Sequence, residues 1–123
     1  MSKNRILVCR LQLQTSETFR AWLAGLIDGE GNFNIHLKPK KGKNPRVRIV
    51  LEEHDRFVLE YIKNTIGGFI VYRSPQKSWK SNCQPQYEWK ISSYVDCIEF
   101  TKWILPFLVL KKEKASSFLE AIQ

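Results

Sequence analysis

Trp22-Leu23-Ala24-Gly25-Leu26-Ile27-Asp28-Gly29-Glu30-Gly31-Asn32-Phe33 contains two periodicities and an abrupt change between them. Upstream of the change, Phe19, Trp22, Leu23, Leu26 and Ile27 recur at helical spacing. Thr15 or Ser16 can cap a helix that starts at Glu17. Beyond Asn32 the period falls to two: Phe33, Ile35 and Leu37 alternate with Asn34, His36 and Lys38, the signature of a strand buried on one face. The run Gly29-Glu30-Gly31 is expected to end the helix, since two glycines so close favour leaving helical geometry, and Asp28 and Glu30 are expected to follow it. Ala21, Gly25 and Gly29 lie four apart and form a stripe without side-chain bulk. A glycine inside a helix costs about 0.5–1 kcal/mol relative to alanine, and close approach of a second helix backbone is one reason to bear that cost. Packing against the protein's own core is the other.

Working outward, Val47, Ile49 and Leu51 alternate with Arg46, Arg48 and Val50 in a second strand. The stretch from Pro39 to Pro45 reads as a polar connection with Gly42 and Asn44 as turn residues. Asp55 can cap a second helix carrying Val58, Leu59, Ile62 and Ile66, stopped by Gly67-Gly68. Phe69 to Arg73 is a third strand, Ser74 to Pro85 a polar loop, and Tyr87, Trp89 and Ile91 give a fourth strand its apolar face. Ser92 or Ser93 caps a third helix through Trp103, and Pro106 separates it from a last helix. Each half is a helix followed by an antiparallel hairpin, so the expected class is α+β with a four-stranded sheet. Residues 1–14 read as an N-terminal arm, with a short strand as one possibility, and 15–123 as one domain.

Composition narrows the partners. Across 123 residues, twenty Lys and Arg against twelve Asp and Glu leave a net charge of +8, which suggests a polyanion, nucleic acid before membrane. No apolar run approaches the length of a bilayer span, and the basic start lacks the apolar stretch of a signal peptide, so an intracellular protein is expected. Three cysteines without C-x-x-C spacing and two histidines give no readable zinc site. The chemistry is concentrated where the small-residue stripe ends. Glu30, Asp28 and the carbonyl of Gly29 are hard oxygen donors suited to Mg²⁺, although on residue types alone the run also reads as a turn.

The string Leu23-Ala24-Gly25-Leu26-Ile27-Asp28-Gly29-Glu30-Gly31, set between a helix and a strand, closely resembles the LAGLIDADG motif of homing endonucleases. The element order also resembles that family's from about Thr18 to Gln123. The resemblance implies an αββαββα fold with a saddle-shaped antiparallel sheet and helices on one face. It also implies a DNA-cutting enzyme that hydrolyses phosphodiesters with Mg²⁺ or Mn²⁺ and leaves 3′ overhangs. It places the catalytic metal ligand at Glu30, where many members have Asp, with Gly29 offering its carbonyl. Asp28, at the same helix end, fits organising that end better than binding metal. The stretch Leu105-Pro106-Phe107-Leu108-Val109-Leu110-Lys111-Lys112 resembles the family's P-x-L-x-x-K segment, which matches Lys111 to its active-site lysine. Glu53, with Glu52 beside it, stands where a polar residue commonly ends the second strand. One motif per chain implies a homodimer paired through Ala21, Ala24, Gly25, Asp28 and Gly29, acting on a roughly palindromic site. A non-cleaving DNA-binding regulator or an intron RNA maturase is the alternative on the same fold. The usual intron-borne gene implies an organelle or a prokaryotic cytoplasm.

The double-stranded DNA partner implies a reading surface. From Asn32 to Leu51 there is no acid, while Lys38, Lys40, Lys41, Lys43, Arg46 and Arg48 fall close together. Asn32, Asn34, His36, Lys38, Arg46 and Arg48 are expected on the face opposite the core, where Arg reads guanine edges and Asn adenine. By the same parity Arg73, Gln86, Glu88 and Lys90 share that face. Lysines in the connections, Lys40, Lys41, Lys43, Lys77 and Lys80, suit phosphate contacts.

Overall fold

The computed structural model describes residues 8–38, 42–75 and 84–123, with 36–38, 42 and 43 described by backbone alone. In chain order these residues form α1 (Glu17–Glu30), β1 (Gly31–Lys38), β2 (Gly42–Glu52), α2 (Arg56–Ile66), β3 (Phe69–Arg73), β4 (Gln86–Ile91), α3 (Tyr94–Ile104) and α4 (Lys112–Ile122). Short 3₁₀ turns, Glu53–Asp55 and Leu105–Phe107, lead into α2 and follow α3. The strands make one antiparallel sheet in the order β1-β2-β4-β3, and the fold is the expected α+β arrangement.

Helix α1 begins as the sequence requires, with the Ser16 hydroxyl accepting from the Phe19 N–H at 3.1 Å. Its end differs from expectation. The Gly31 N–H still bonds to the Ile27 carbonyl, so helical geometry runs through Glu30 and both acids lie in the last turn rather than beyond it. Strand β1 starts at the very next residue. That junction explains Gly31: a Cβ there would lie 2.7 Å from Ile27 Cγ2, closer than packed atoms allow. The second difference is β2, which begins at Gly42 instead of near Arg46. Gly42 and Asn44 are ladder residues opposite Lys38 and His36, not turn residues, because the hairpin pairing extends further than the apolar alternation. A third is Asp55, which sits at the α2 N-cap position but makes no side-chain cap bond; the 3₁₀ turn before it supplies the entry instead.

Alternation on the strands assigns the core. Phe33, Val47, Ile49, Trp89 and Ile91 point inward and are buried together with Leu23, Ala24 and Ile27 of α1, Leu59, Ile62 and Ile66 of α2, and Phe100 and Ile104 of α3. Residues 8–14 form no strand, yet they are held: the Arg10 N–H donates to Asp96 Oδ1 at 2.8 Å, the Gln12 N–H to the Ile66 carbonyl at 2.9 Å, and Leu11 is buried between them. Trp89 is the largest fully buried side chain, and its indole N–H donates to the Gly67 carbonyl at 2.8 Å. Gly67 and Gly68 both have positive φ, 101° and 99°, and a Cβ on Gly68 would run into the Trp89 indole.

The two glycines therefore separate backbone strain from packing. Gly67→Ala is expected to cost about 1–2 kcal/mol through its φ alone, and Gly68→Ala about 1–3 kcal/mol more because Trp89 must also move. Equal losses in urea unfolding would show that the indole contact contributes nothing.

Candidate active site and nucleic-acid interface

A helix carries partial negative charge at its C-terminus, where cations are favoured and acids are not. The last turn of α1 has no basic residue and holds both Asp28 and Glu30, so the sequence places acids against the local field. The compensation comes from 83 residues further along the chain. Lys111 Nζ donates to the Asp28 carbonyl at 2.8 Å, satisfying one of the carbonyls left over at the helix end. The Asp28 carboxylate in turn accepts from the backbone N–H of Val109 and of Lys111, each at 2.9 Å. Burial by itself would raise the Asp28 pKa. The N–H groups of Lys111, Val109 and Leu110 and the charge of Lys111 outweigh it and hold the carboxyl below its ordinary value. Both carboxylate oxygens are thus committed to the turn before α4, which weighs against metal ligation by Asp28 and for a role in organising the helix end. Glu30 and Gly29 are exposed on the other side of the same turn.

The outward face of α1 is open. A Cβ on Gly25 or on Gly29 would meet nothing within 4 Å, so neither glycine serves close packing among the described residues. Ala21, Gly25 and Gly29 are all exposed. Ala24 is not on this face. It is 0% exposed in the core, which removes it from the expected dimer contact. Val109 and Leu110, on the turn that Asp28 holds, are large apolar side chains at 85% and 77% exposure, and Trp22, counted with the apolar side of the helix, is 40% exposed with its ring against Phe19 and Tyr61.

The sheet face turned away from the helices is polar over most of its breadth. The register aligns Asn32 with Arg48 and Lys90, and Asn34 with Arg46, so these side chains share that face. Gln86 and Arg73 pair at the same parity on β4 and β3. Glu88 shares the face but is only 6% exposed, because Arg48 and Arg73 close over it at 3.4 and 4.0 Å. It is a partner for two arginines, and the expected direct contact with DNA is not available to it in this arrangement. Glu52 and Glu53 are exposed where β2 gives way to the 3₁₀ turn, three and four residues beyond Ile49, the partner of the first residue of β1, Gly31. His36, Lys38 and Lys43 lie in strands described by backbone alone, while Lys40, Lys41, Lys77 and Lys80 lie outside the described residues.

Residues 23–120 match the family model described as LAGLIDADG endonuclease. The chain belongs to that family. Structures of family members have the same fold: the homing endonuclease I-CvuI in complex with its target in the presence of Ca superposes with a TM-score of 0.69 at 22% identity, over 86% of this chain and 66% of that one. I-GzeII in complex with a DNA target gives 0.65 at 27% identity, over 84% of this chain and 34% of that one. An intron-encoded RNA maturase, bI4 of Saccharomyces cerevisiae (strain ATCC 204508 / S288c), is 38% identical over 66 residues, 54% of this chain and 10% of the maturase. The chain thus spans less than two thirds of each of these relatives.

The Asp28 contacts lead to a pH-dependent expectation. A carboxyl whose folded-state pKa is depressed contributes its full stability above the ordinary value of 3.8 and loses it as the pH falls through the lower folded value. Asp28→Asn should therefore be about 1–2 kcal/mol less stable than wild type at pH 7, and the two should converge in acid. A gap independent of pH in chemical denaturation would contradict the charge-assisted bonds.

Proposed function

We propose that the protein is a site-specific double-strand DNA endonuclease of the homing type, active as a homodimer with one Glu30 from each subunit beside the two-fold axis. The observation that carries this reading is the helix end itself: an exposed Glu30 and a Lys111 anchored two residues back on the Asp28 carbonyl, at the foot of a helix face that leaves room for a second backbone. A structure of I-CvuI determined with DNA and Mg, and others of family members on DNA, support the substrate class.

The donor set fits a hard divalent cation. Glu30 supplies a carboxylate and Gly29 a main-chain carbonyl, and no group of three or more His, Cys, Asp or Glu side chains gathers among the described residues. Mg²⁺ or Mn²⁺ accepts one or two carboxylates and fills its shell with water and phosphate. When bound there, it would polarise the scissile phosphate and acidify water. Lys111 adds positive charge beside that phosphate, and its ammonium is held in place through the Asp28 carbonyl. Glu53, with Glu52 beside it, accepts a hydrogen bond from the attacking water at the end of β2. Asn32, Asn34, His36, Lys38, Arg46, Arg48, Arg73, Gln86 and Lys90 read bases from the sheet, while Lys40, Lys41, Lys43, Lys77 and Lys80 hold phosphates and make binding salt-dependent.

Two copies of this subunit read a roughly palindromic site and cut it with 3′ overhangs. The intron-encoded yeast relative supports an intron-borne gene acting in an organelle or a prokaryotic cytoplasm. Among the described residues no helix is long and apolar enough to cross a membrane.

The same relative favours a second reading, an RNA maturase that binds without cutting. Cleavage of the uninterrupted insertion site of the protein's own gene separates them. On the endonuclease reading Glu30→Gln lowers cleavage at least about 10³-fold with affinity almost unchanged, and Lys111→Ala lowers it about 10²-fold. Tight binding with no product in Mg²⁺ or Mn²⁺ supports the maturase. Gly25→Leu tests the pairing: its side chain starts in open space, so folding should persist while sedimentation reports monomers. A variant that remains dimeric and active removes α1 from the interface.

A further inference from the structure

On the sheet face away from the helices, one end departs from the polar pattern. Phe69 is paired with Lys90, and Val71 with Glu88, so both side chains share the face of Arg48, Lys90 and Arg73. They are 57% and 40% exposed, which on a sheet whose other face is the core is costly without a partner. Val50, opposite Glu88 on the other side of β4, extends the strip towards β2. Cations line the strip along β4 and at the end of β3: Lys90 adjoins Phe69, and Arg48 and Arg73 both reach Glu88 between the two valines.

A lipid or a protein partner would favour a broader apolar area; a few apolar side chains set among arginines and a lysine fit a groove with anionic walls and isolated methyl groups on its floor. The DNA major groove is such a surface, because thymine presents a C5-methyl there beside an O4 acceptor. We infer that Phe69 and Val71 are specificity-determining residues that select thymine in each half-site by packing on its 5-methyl group, beside the cations that face the same groove. This rests on the reading of the sheet as a DNA-binding face. Charge complementarity around the strip and its continuity with the row from Asn32 to Lys90 argue for the duplex as its occupant.

The test uses the full chain and a randomised DNA duplex library, from which bound sequences are enriched. Each thymine in an enriched duplex is then replaced by deoxyuridine, which removes the methyl and leaves every hydrogen-bonding atom in place. Affinity is expected to fall about three- to tenfold at one or two positions per half-site, as loss of a buried methyl contact implies. Phe69→Ala, which alters an exposed residue, should bind the thymine and uracil duplexes equally at one of these positions. Val71→Thr, nearly identical in shape, should shrink the methyl effect at its neighbour. No methyl-sensitive position, or full sensitivity retained in both variants, overturns the inference while leaving DNA binding intact. Failure to enrich any duplex overturns the DNA-binding reading and this one with it.

Discussion

The contact between the last turn of α1 and the turn before α4 is the constraint on which the site depends. Three hydrogen bonds make it: the N–H groups of Val109 and Lys111 to the Asp28 carboxylate, and the Lys111 ammonium to the Asp28 carbonyl. Each bond is charge-assisted, and such bonds are roughly twice as strong as neutral ones. The contact has two consequences that cannot be separated. It neutralises the unfavourable end of a helix that carries acids, and it fixes a lysine from the far end of the sequence on the last turn of that helix. Without it, α1 would end in an unsatisfied carbonyl row with two negative charges, and Lys111 would be one more cation on a basic surface.

The same helix is asymmetric for a physical reason. Leu23, Ala24 and Ile27 are fully buried, which fixes α1 to the rest of the fold, while Ala21, Gly25 and Gly29 are exposed and the two glycines face open space. Helical glycine is unfavourable unless something uses the room it leaves. Among the described residues nothing does. Val109 and Leu110, exposed on the turn bound to the end of the same helix, add apolar surface that is unfavourable in water as well, and a packed partner would relieve both terms together.

Much of this was legible in the sequence because periodicity and caps are local. The switch from helical to alternating spacing at Asn32 gave β1, Ser16 and Ser93 marked the starts of α1 and α3, and Gly67-Gly68 marked the end of α2. The bare resemblance to the nine-residue motif gave the family. What local signals missed were properties of partners distant in sequence. The helix persists through Glu30 because Gly31 can pack against Ile27, which two glycines in a row of letters do not announce. Ala24 reads like its small neighbours, yet one residue of helical rotation turns it into the core. Val109 and Leu110 gave a signal that went unused: two large apolar residues directly before a run of lysines in a turn.

Glu88 shows how far strand parity can carry and where it stops. Parity placed it correctly on the sheet face with Arg48, Arg73 and Lys90, but parity says nothing of what its neighbours do. On a basic face, a free carboxylate would repel any anion that approached. Covered by two guanidinium groups it is 6% exposed, and its charge is spent on them. The two arginines lose rotamer freedom to Glu88 during folding, so less of that entropy remains to be lost in any later contact they make. An acid buried in a basic face therefore orders the cations around it before any ligand arrives.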